Sequence, residues 1–463
     1  MNARFEPLSA QSRLSLRARV AAATGHGPRW LFGAERQLQL DEALAGTVLP
    51  QASIMHDKIV VLRFASQLAN ALALLELDGI ASQIVLCPPD VQGAMLAQIC
   101  TQARADFVVS DGAMADEAGL EATIVELAAD FTARLAPTLP AIDTKWLLLT
   151  SGTTGAPKLV AHSLPGLTGA IISQGADFDI VWATFYDTRR YGGLQMLLRA
   201  LLAGGSMVFS QAEEPVGAFL TRLARHGVTH LAGTPSHWRR ALMSAEIKSL
   251  KPRYLRLSGE IADQSVLNAL RAAFPDVPVG HAYASTEAGV GFEVTDGLEG
   301  FPASFLERVG PVEMRVQNGT LRIRSQRTAS HYIGAGALAD DEGFVDTGDL
   351  VEARGGRYYF LGRASGIINV GGLKVHPEEI EAVLNGVAGV QLSRVKARKS
   401  PITGAIVVAE IVAADPASAG PALKATILAA AQAALPAYKV PALIQFVAQL
   451  PMTRGGKLER AHA

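Results

Sequence analysis

The sequence predicts an α/β protein. A large N-terminal domain of α/β sheets carries a small β-rich subdomain, and a small α+β C-terminal domain follows. Three observations predict this. Short β-branched or leucine-rich runs alternate with helical stretches of ten or so residues through the first 230 positions, the pattern of parallel sheets with crossover helices. Between Val309 and Phe360 the pattern changes to short strands separated by Asn318-Gly319 and Gly355-Gly356, both hairpin signals. From Leu361 onward there are 11 Lys and Arg against 6 Asp and Glu, while the preceding residues carry 31 against 37, so the charge changes sign there.

The elements follow in order. Residues 1–30 hold Arg4, Arg13, Arg17, Arg19 and Arg29 against one acid, Glu6. This stretch has the charge of a transit peptide, but we read it as a surface helix with Leu14, Leu16 and Val20 on its apolar face. Ile59–Phe64 reads as a strand, Gln67–Leu77 as a helix, Ser82–Leu86 as a strand, Val91–Gln102 as a helix and Phe107–Val109 as a strand. The alternation returns at Ile180–Phe185, Leu194–Leu202, Met207–Phe209, Val216–His226 and His230–Ala232. The expected domains are 1–360, a hinge at 361–366 and a lobe at 367–463. The lobe reads as a helix (Pro377–Leu384), two strands (Val390–Val395, Ile406–Val412), a helix (Ala422–Leu435) and a strand (Leu443–Val447). A basic lobe facing an acidic body suits an anionic ligand between them, and plain electrostatic docking explains the charges equally well.

Composition narrows the function. With 463 residues, 49 % hydrophobic and 18 % charged, the chain is globular and multidomain. A net charge of −1 is not that of a polycation built for nucleic acid. Cys87 and Cys100 are the only cysteines, too few for a disulfide scaffold. No apolar run reaches the roughly 18–20 residues of a membrane span. We therefore expect a cytoplasmic protein, monomeric or homodimeric, with no nucleic-acid or membrane partner.

The chemistry concentrates first in Thr150-Ser151-Gly152-Thr153-Thr154-Gly155-Ala156-Pro157-Lys158, which follows the apolar run Trp146–Leu149. Glycine lets backbone N–H groups approach an anion, hydroxyls add donors and Lys158 adds a point charge. This reads as a polyphosphate cradle, although it is not a Walker A loop. Four further segments stand in order behind it. They are Ala282-Tyr283-Ala284-Ser285-Thr286-Glu287, Asp346-Thr347-Gly348-Asp349, Gly362-Arg363 with Gly371-Gly372-Leu373-Lys374-Val375-His376-Pro377-Glu378-Glu379, and Pro451-Met452-Thr453-Arg454-Gly455-Gly456-Lys457.

Together, at these separations, the segments resemble the motifs of the adenylate-forming superfamily of acyl-CoA synthetases, adenylation domains and luciferases. Within it the chain looks most like an acyl- or aryl-CoA ligase. The resemblance covers at least two thirds of the chain and is loose before residue 140. It implies ATP, Mg²⁺ and coenzyme A, or a carrier-protein phosphopantetheine, as cofactors and partners, with a small-molecule carboxylic acid as substrate. It implies that Thr150, Ser151, Gly152, Thr153, Thr154, Gly155 and Lys158 hold phosphates, and that Gly259 and Glu260 adjoin the nucleotide. Tyr283 would lie against adenine, Thr286 would meet the α-phosphate and Glu287 would hold Mg²⁺ through a hard oxygen. Asp349 would take the ribose hydroxyls and Arg363 would reach the nucleotide. Lys457 would be the mobile catalytic lysine bridging carboxylate and α-phosphate. The small lobe would then rotate about the hinge, and Gly371, Gly372 and Lys374 would line a channel for the thiol.

The sequence departs from that pattern at Ala284, where a glycine is usual, and at Ser365 and Asn369 near the hinge. The acyl pocket is expected around Tyr186, Arg190, Tyr191, Gly192 and His281. Arg189 or Arg190 would hold a second acidic group on the substrate, or serve as a CoA-phosphate contact or salt bridge. His162, His237 and His281 are each a polar pocket wall or a structural histidine. Arg394, Lys396, Arg398 and Lys399 are a basic patch for CoA or an acidic carrier, or a solvated strand face. Three functions fit: an acid–thiol ligase acting on CoA, an acyl-AMP ligase loading a carrier protein, and a non-catalytic nucleotide-binding paralogue.

Overall fold

The computed structural model describes residues 14–23, 27–112, 120–133, 140–150, 158–171, 180–211, 213–334, 336–400, 404–453 and 457–459. The chain forms two compact units. One comprises Met1–Glu213 with Gln326–Leu338, the other Glu214–Ser325 with Ala339–Ala463.

The first unit begins with α1 (Leu16–Ala22), capped by the Ser15 hydroxyl. The helix is shorter and deeper than expected. Leu14 precedes it and is exposed, whereas Leu16, Arg17 and Val20 are buried. The Arg17 guanidinium donates to the carbonyls of Leu75 and Ala43, both at 3.1 Å, and of Leu44 at 2.5 Å, so its charge is spent inside the unit. Two short strands, β1 (Trp30–Phe32) and β2 (Gln37–Gln39), pair antiparallel. Then come β3 (Ile59–Arg63), α2 (Gln67–Leu77), β4 (Gln83–Cys87), α3 (Gly93–Ala103), β5 (Phe107–Ser110), β6 (Thr123–Glu126), β7 (Lys145–Thr150) and β8 (Lys158–Ser163). Helix α2 is buried nearly all round, as its leucine and alanine content demands, and the Ser66 hydroxyl caps it.

These strands build a seven-stranded sheet in the order His331–Tyr332, β8, β7, β4, β3, β5, β6. Its centre is parallel and fed by α2 and α3, while β7 and β8 form an antiparallel pair at one side. The unit closes with β9 (Val181–Thr184), α4 (Tyr191–Leu202) and β10 (Ser206–Val208). Strand β10 lies parallel to both β9 and β1.

The second unit opens with α5 (Val216–Arg225), β11 (His230–Gly233), α6 (Pro235–Leu242), β12 (Tyr254–Ser258), α7 (Gln264–Ala273), β13 (Val279–Ser285) and β14 (Gly289–Val294). Strands β11, β12 and β13 are parallel, and β14 returns antiparallel to β13. Next, β15 (Phe301–Pro302), β16 (Val312–Gln317), β17 (Thr320–Ser325), β18 (Val345–Arg354) and β19 (Arg357–Arg363) form the expected β-rich part. It is an antiparallel sheet in the order β15, β19, β18, β17, β16. Asn318 and Gly319 have φ of 54° and 79°, and Gly355 and Gly356 have 53° and 79°. Two consecutive positive φ values make two-residue turns whose twist suits a hairpin.

The remaining residues hold β20 (Ile368–Val370), β21 (Leu373–Val375), α8 (Pro377–Asn385), β22 (Val390–Ser400), β23 (Gly404–Ala413), α9 (Pro421–Ala434) and β24 (Leu443–Phe446). Strands β22 and β23 are antiparallel, β24 joins parallel to β23, and the two helices pack there around Ile380, Leu384, Ile411 and Ile427. The helices and strands read from the sequence for residues 377–447 are present, with β20 and β21 added, and the compact unit that holds them also takes in Glu214–Ser325.

Candidate active site

In the first unit, β7 and β8 bring the ends of the hydroxyl- and glycine-rich loop together. Thr150 is the register partner of Lys158. The Lys158 amine lies 5.4 Å from the centre of the Tyr332 ring. Ser151, Gly152, Thr153, Thr154 and Gly155 lie outside the described residues.

Of the residues expected to line the acyl pocket, Tyr186, Arg190, Tyr191 and Gly192 lie at the start of α4, whereas His281 lies on β13 in the second unit. This helix begins at Tyr191, three residues earlier than its leucines suggested, because its first turn contains Gly192 and Gly193. A glycine pair lowers helix propensity, so sequence alone places the start after it. Packing overrides that preference here. A Cβ on Gly193 would stand 2.2 Å from the Asp187 carbonyl oxygen, and one on Gly192 would touch the Tyr186 ring at 3.8 Å. Tyr186 and Tyr191 are both buried, and the His162 and Tyr191 rings are 5.6 Å apart. Both arginines are paired. Arg189 grips Asp187 through Nε at 2.6 Å and Nη2 at 3.0 Å, and it donates to the Phe64 and Ala65 carbonyls. Arg190 holds Asp90 at 3.0 Å. Each of the two forms a salt bridge within the first unit.

The second unit gathers the other candidates. Tyr283 lies on β13, where the pairing with β14 shifts register between Tyr283 and Ala284. Thr286 and Glu287 follow at the turn. Asp349 on β18 faces Arg363 on β19 as register partners. The Asp349 carboxylate accepts from Arg363 Nε at 2.9 Å and from the Tyr283 hydroxyl at 2.5 Å. Burial, and then the Asp349 charge, push the Tyr283 phenol well above its usual pKa, so it stays a donor. The Tyr283 ring lies 5.2 Å from Phe360 at an interplanar angle of 5°, and 5.7 Å from Phe292. That aromatic stack joins β13, β14 and β19, and sequence reading missed it. Phe360, two residues before Gly362, was its visible signal.

Gly259 follows β12 with φ of +86°, and a Cβ there would come 3.2 Å from Cε of Lys457. Glu260 is next. It accepts the Leu458 N–H at 3.0 Å on one oxygen and the Ser236 N–H at 2.9 Å on the other. Lys457 therefore reaches the same place as Gly259 and Glu260, about 200 residues earlier in sequence. Desolvation of its amine lowers the pKa and Arg363 adds to this, while Glu260, Asp349 and Glu287 pull the other way. The residue as a whole keeps exposed surface.

Glu287 is half-buried and its carboxylate makes no hydrogen bond or ion pair among the described residues. Those residues include no cluster of three or more His, Cys, Asp or Glu fit for a metal. One open carboxylate suits Mg²⁺, which keeps several waters and takes its remaining ligands from phosphates.

His237 and His281 each contact a backbone group through a ring nitrogen. His237 lies in the first turn of α6, where its Nδ1 accepts the Thr234 N–H at 3.1 Å. Burial pushes its pKa down to about 3, so the imidazole is neutral. His281 has Nε2 2.8 Å from the Leu298 carbonyl, and burial lowers its pKa as well. Gly371 and Gly372 form the turn between β20 and β21, with φ of 58° and 87°. Their positive φ favours glycine, and a Cβ on either would meet no protein atom within 4 Å. The Asn369 side chain accepts the Gly372 N–H at 2.9 Å and steadies that turn, beside an exposed Lys374. Of the basic residues on β22, Arg394 and Lys396 both pair with Glu410. Arg398 and Lys399 are exposed, with no ion pair among the described residues.

The chain is similar to acyl-coenzyme A synthetase ACSM4, mitochondrial, of Rattus norvegicus, with 28 % identity over 350 residues, covering 68 % of this chain and 59 % of that protein. It thus spans well under two thirds of that relative's length. It is also similar to a feruloyl-CoA synthase from Amycolatopsis sp, with 27 % identity covering 67 % of each. Among solved structures, an anthranilate CoA ligase in complex with anthranoyl-AMP shares the fold at a TM-score of 0.82, with 18 % identity and 96 % of each chain covered. The profile of the AMP-binding enzyme matches residues 59–329, and that of the AMP-binding enzyme C-terminal domain matches residues 379–457. Spanning more than half its length in the first match alone, the chain belongs to the AMP-binding enzyme family.

Proposed function

We propose that the protein is an ATP-dependent acid–thiol ligase. It joins a carboxylate to the α-phosphate of ATP, expels pyrophosphate, and passes the acyl group to the thiol of coenzyme A with release of AMP. The observation that carries this reading is the meeting of Lys457, Glu260, Asp349, Arg363 and Glu287 within one unit, drawn from segments far apart in sequence. Two anions must meet in the first step, so fixed positive charge has to stand where they join. Lys457 supplies it.

Asp349 has lone pairs left after Tyr283 and Arg363, enough for two ribose hydroxyls. Glu287 is the residue to hold Mg²⁺, which would neutralise phosphate charge when bound. The thiol step needs the lysine withdrawn, and residues 361–366 are the place for the chain to turn. They include the single turn Ala364–Gly366. The similarity to the CoA ligases named above supports coenzyme A as acceptor. Arg398 and Lys399 leave positive charge open for an anionic acceptor, which a carrier protein would also satisfy. The free, buried thiols Cys87 and Cys100 support a reducing compartment such as the cytoplasm. No helix among the described residues is long and apolar enough to cross a membrane.

The test is pyrophosphate release from ATP–Mg²⁺ across aryl, short-chain, long-chain, dicarboxylic and amino acids, with CoA, with a loaded carrier protein, and with neither. Release with one acid class supports the reading. Its absence with every acid moves the weight to a nucleotide-binding protein without this chemistry.

A further inference from the structure

We propose that Glu260 is the positioning residue that seats Lys457, its carboxylate clamping the C-terminal hairpin to the first turn of α6. The proposal rests on the function given above and gives Glu260 a role beyond the nucleotide contact expected of it. One oxygen of Glu260 takes the Leu458 N–H at 3.0 Å, next to the lysine, and the other takes the Ser236 N–H at 2.9 Å. Ser236 lies in the first turn of α6, where backbone donors lack helical partners and the helix dipole favours an anion. The Thr234 hydroxyl takes the neighbouring His237 N–H at 3.0 Å, so threonine and glutamate divide the donors of that turn.

Among the described residues, the other hydrogen bonds of residues 451–459 run to one another and to Arg394. Thr453 N–H donates to the Lys457 carbonyl at 2.7 Å, Glu459 N–H to Pro451 at 3.0 Å, and Arg394 to the Glu459 carbonyl at 2.9 Å. Among the described residues, Glu260 makes the one hydrogen bond from residues 451–459 to residues 214–325. Gly259 completes the seat by leaving room for the lysine stem. A carboxylate with two accepting oxygens is the group this junction needs. Both bonds are charge-assisted, yet only the one to Leu458 must break for the hairpin to leave.

The experiment uses the full chain and Glu260→Gln. Glutamine keeps one acceptor oxygen and sets an NH₂ group against the other N–H, so one bond is lost. Two readouts are taken. Pyrophosphate formation from acid and ATP should fall by about 10- to 100-fold, the usual cost of misplacing a catalytic group by about 1 Å. Thiol transfer from a supplied acyl adenylate should change less than that. Hydrogen exchange at the Leu458 amide, read in a peptide covering residues 448–459, should speed up. Leu458→Pro deletes the donor and leaves Glu260 in place, and it should reproduce the kinetic split.

Equal loss in both half-reactions, or full adenylation by Leu458→Pro, overturns the proposal. If the wild-type protein adenylates no acid, the function reading fails by itself, and the exchange readout still decides the clamp. Faster exchange in Glu260→Gln upholds it, and unchanged exchange overturns it.

Discussion

Replacing Asp349 with asparagine should cost the protein most of its ATP affinity while leaving its shape intact. The carboxylate is held on one oxygen by the Tyr283 hydroxyl at 2.5 Å and on the other by Arg363 Nε at 2.9 Å. Its remaining lone pairs are those available to a ribose diol. Hydrogen bonds to a charged group contribute about 1.5–3 kcal/mol, whereas the amide oxygen of asparagine offers the weaker neutral bond. Arg363 is 55 % exposed, so its ion pair with Asp349 is screened and adds little. The expected loss therefore comes from the ribose contacts, and it corresponds to about 10- to 100-fold in Kd. Calorimetric titration with ATP–Mg²⁺ in the absence of acid measures it directly. Tyr283→Phe is the control. It removes the hydroxyl that steadies Asp349 but keeps the stack on Phe360, and should cost less than about tenfold. Asp349→Asn binding ATP as tightly as the wild type refutes the ribose assignment. Equal losses in the two variants would show that Asp349 acts through the tyrosine.

Three further outcomes are expected. The Lys457 amine is pushed below the usual lysine pKa by desolvation and Arg363, against Glu260, Asp349 and Glu287, so it loses its charge at lower pH than a free lysine. Adenylation should fall as pH rises through that value. Lys457→Arg, which keeps its charge, should lose this limb, and a pH–rate profile of the same shape in both proteins would contradict the role. Glu287→Gln should raise the Mg²⁺ concentration for half-maximal pyrophosphate release by about tenfold or abolish release; an unchanged Mg²⁺ titration removes Glu287 from the metal. Arg17→Ala strands buried carbonyls of Leu75, Ala43 and Leu44 and should destabilise the first unit by about 2–4 kcal/mol. Urea unfolding reads this, and an unmoved midpoint would show that water replaces the guanidinium at no cost.

Much of the scaffold was legible because its signals are local. Ser66 before a leucine–alanine run marks both the start and the buried character of α2, and the observed span matches Gln67–Leu77. Asn318-Gly319 and Gly355-Gly356 predict two-residue hairpins because glycine and asparagine tolerate positive φ, and both hairpins form. Where a local signal opposes packing, the reading failed. Gly192 and Gly193 hid the first turn of α4, and Arg17 looked like surface charge because no sequence pattern shows three carbonyls converging on it.

The site divides the same way. Its residue types could be named from the motifs, and register explains some of their meetings, since Asp349 and Arg363 are direct partners across β18 and β19. The stack of Tyr283 on Phe360 and the clamp of Glu260 on Leu458 were not legible. The first depends on how two sheets meet, and the second is a side chain accepting a backbone N–H, a donor that nearly every residue carries. The pairing of Arg190 with Asp90 was equally hidden, because the partner lies 100 residues away.

If Lys457 serves carboxylate activation in a protein that makes an acyl adenylate, its removal should separate the two half-reactions. The most direct measurement compares wild type and Lys457→Ala in both half-reactions, once the acid panel has identified a substrate. Pyrophosphate release from acid and ATP–Mg²⁺ reads the first, and thioester formation from a supplied acyl adenylate and CoA reads the second. Lys457→Ala should lose the first and retain the second. Equal loss in both, or full pyrophosphate release by the variant, would contradict it.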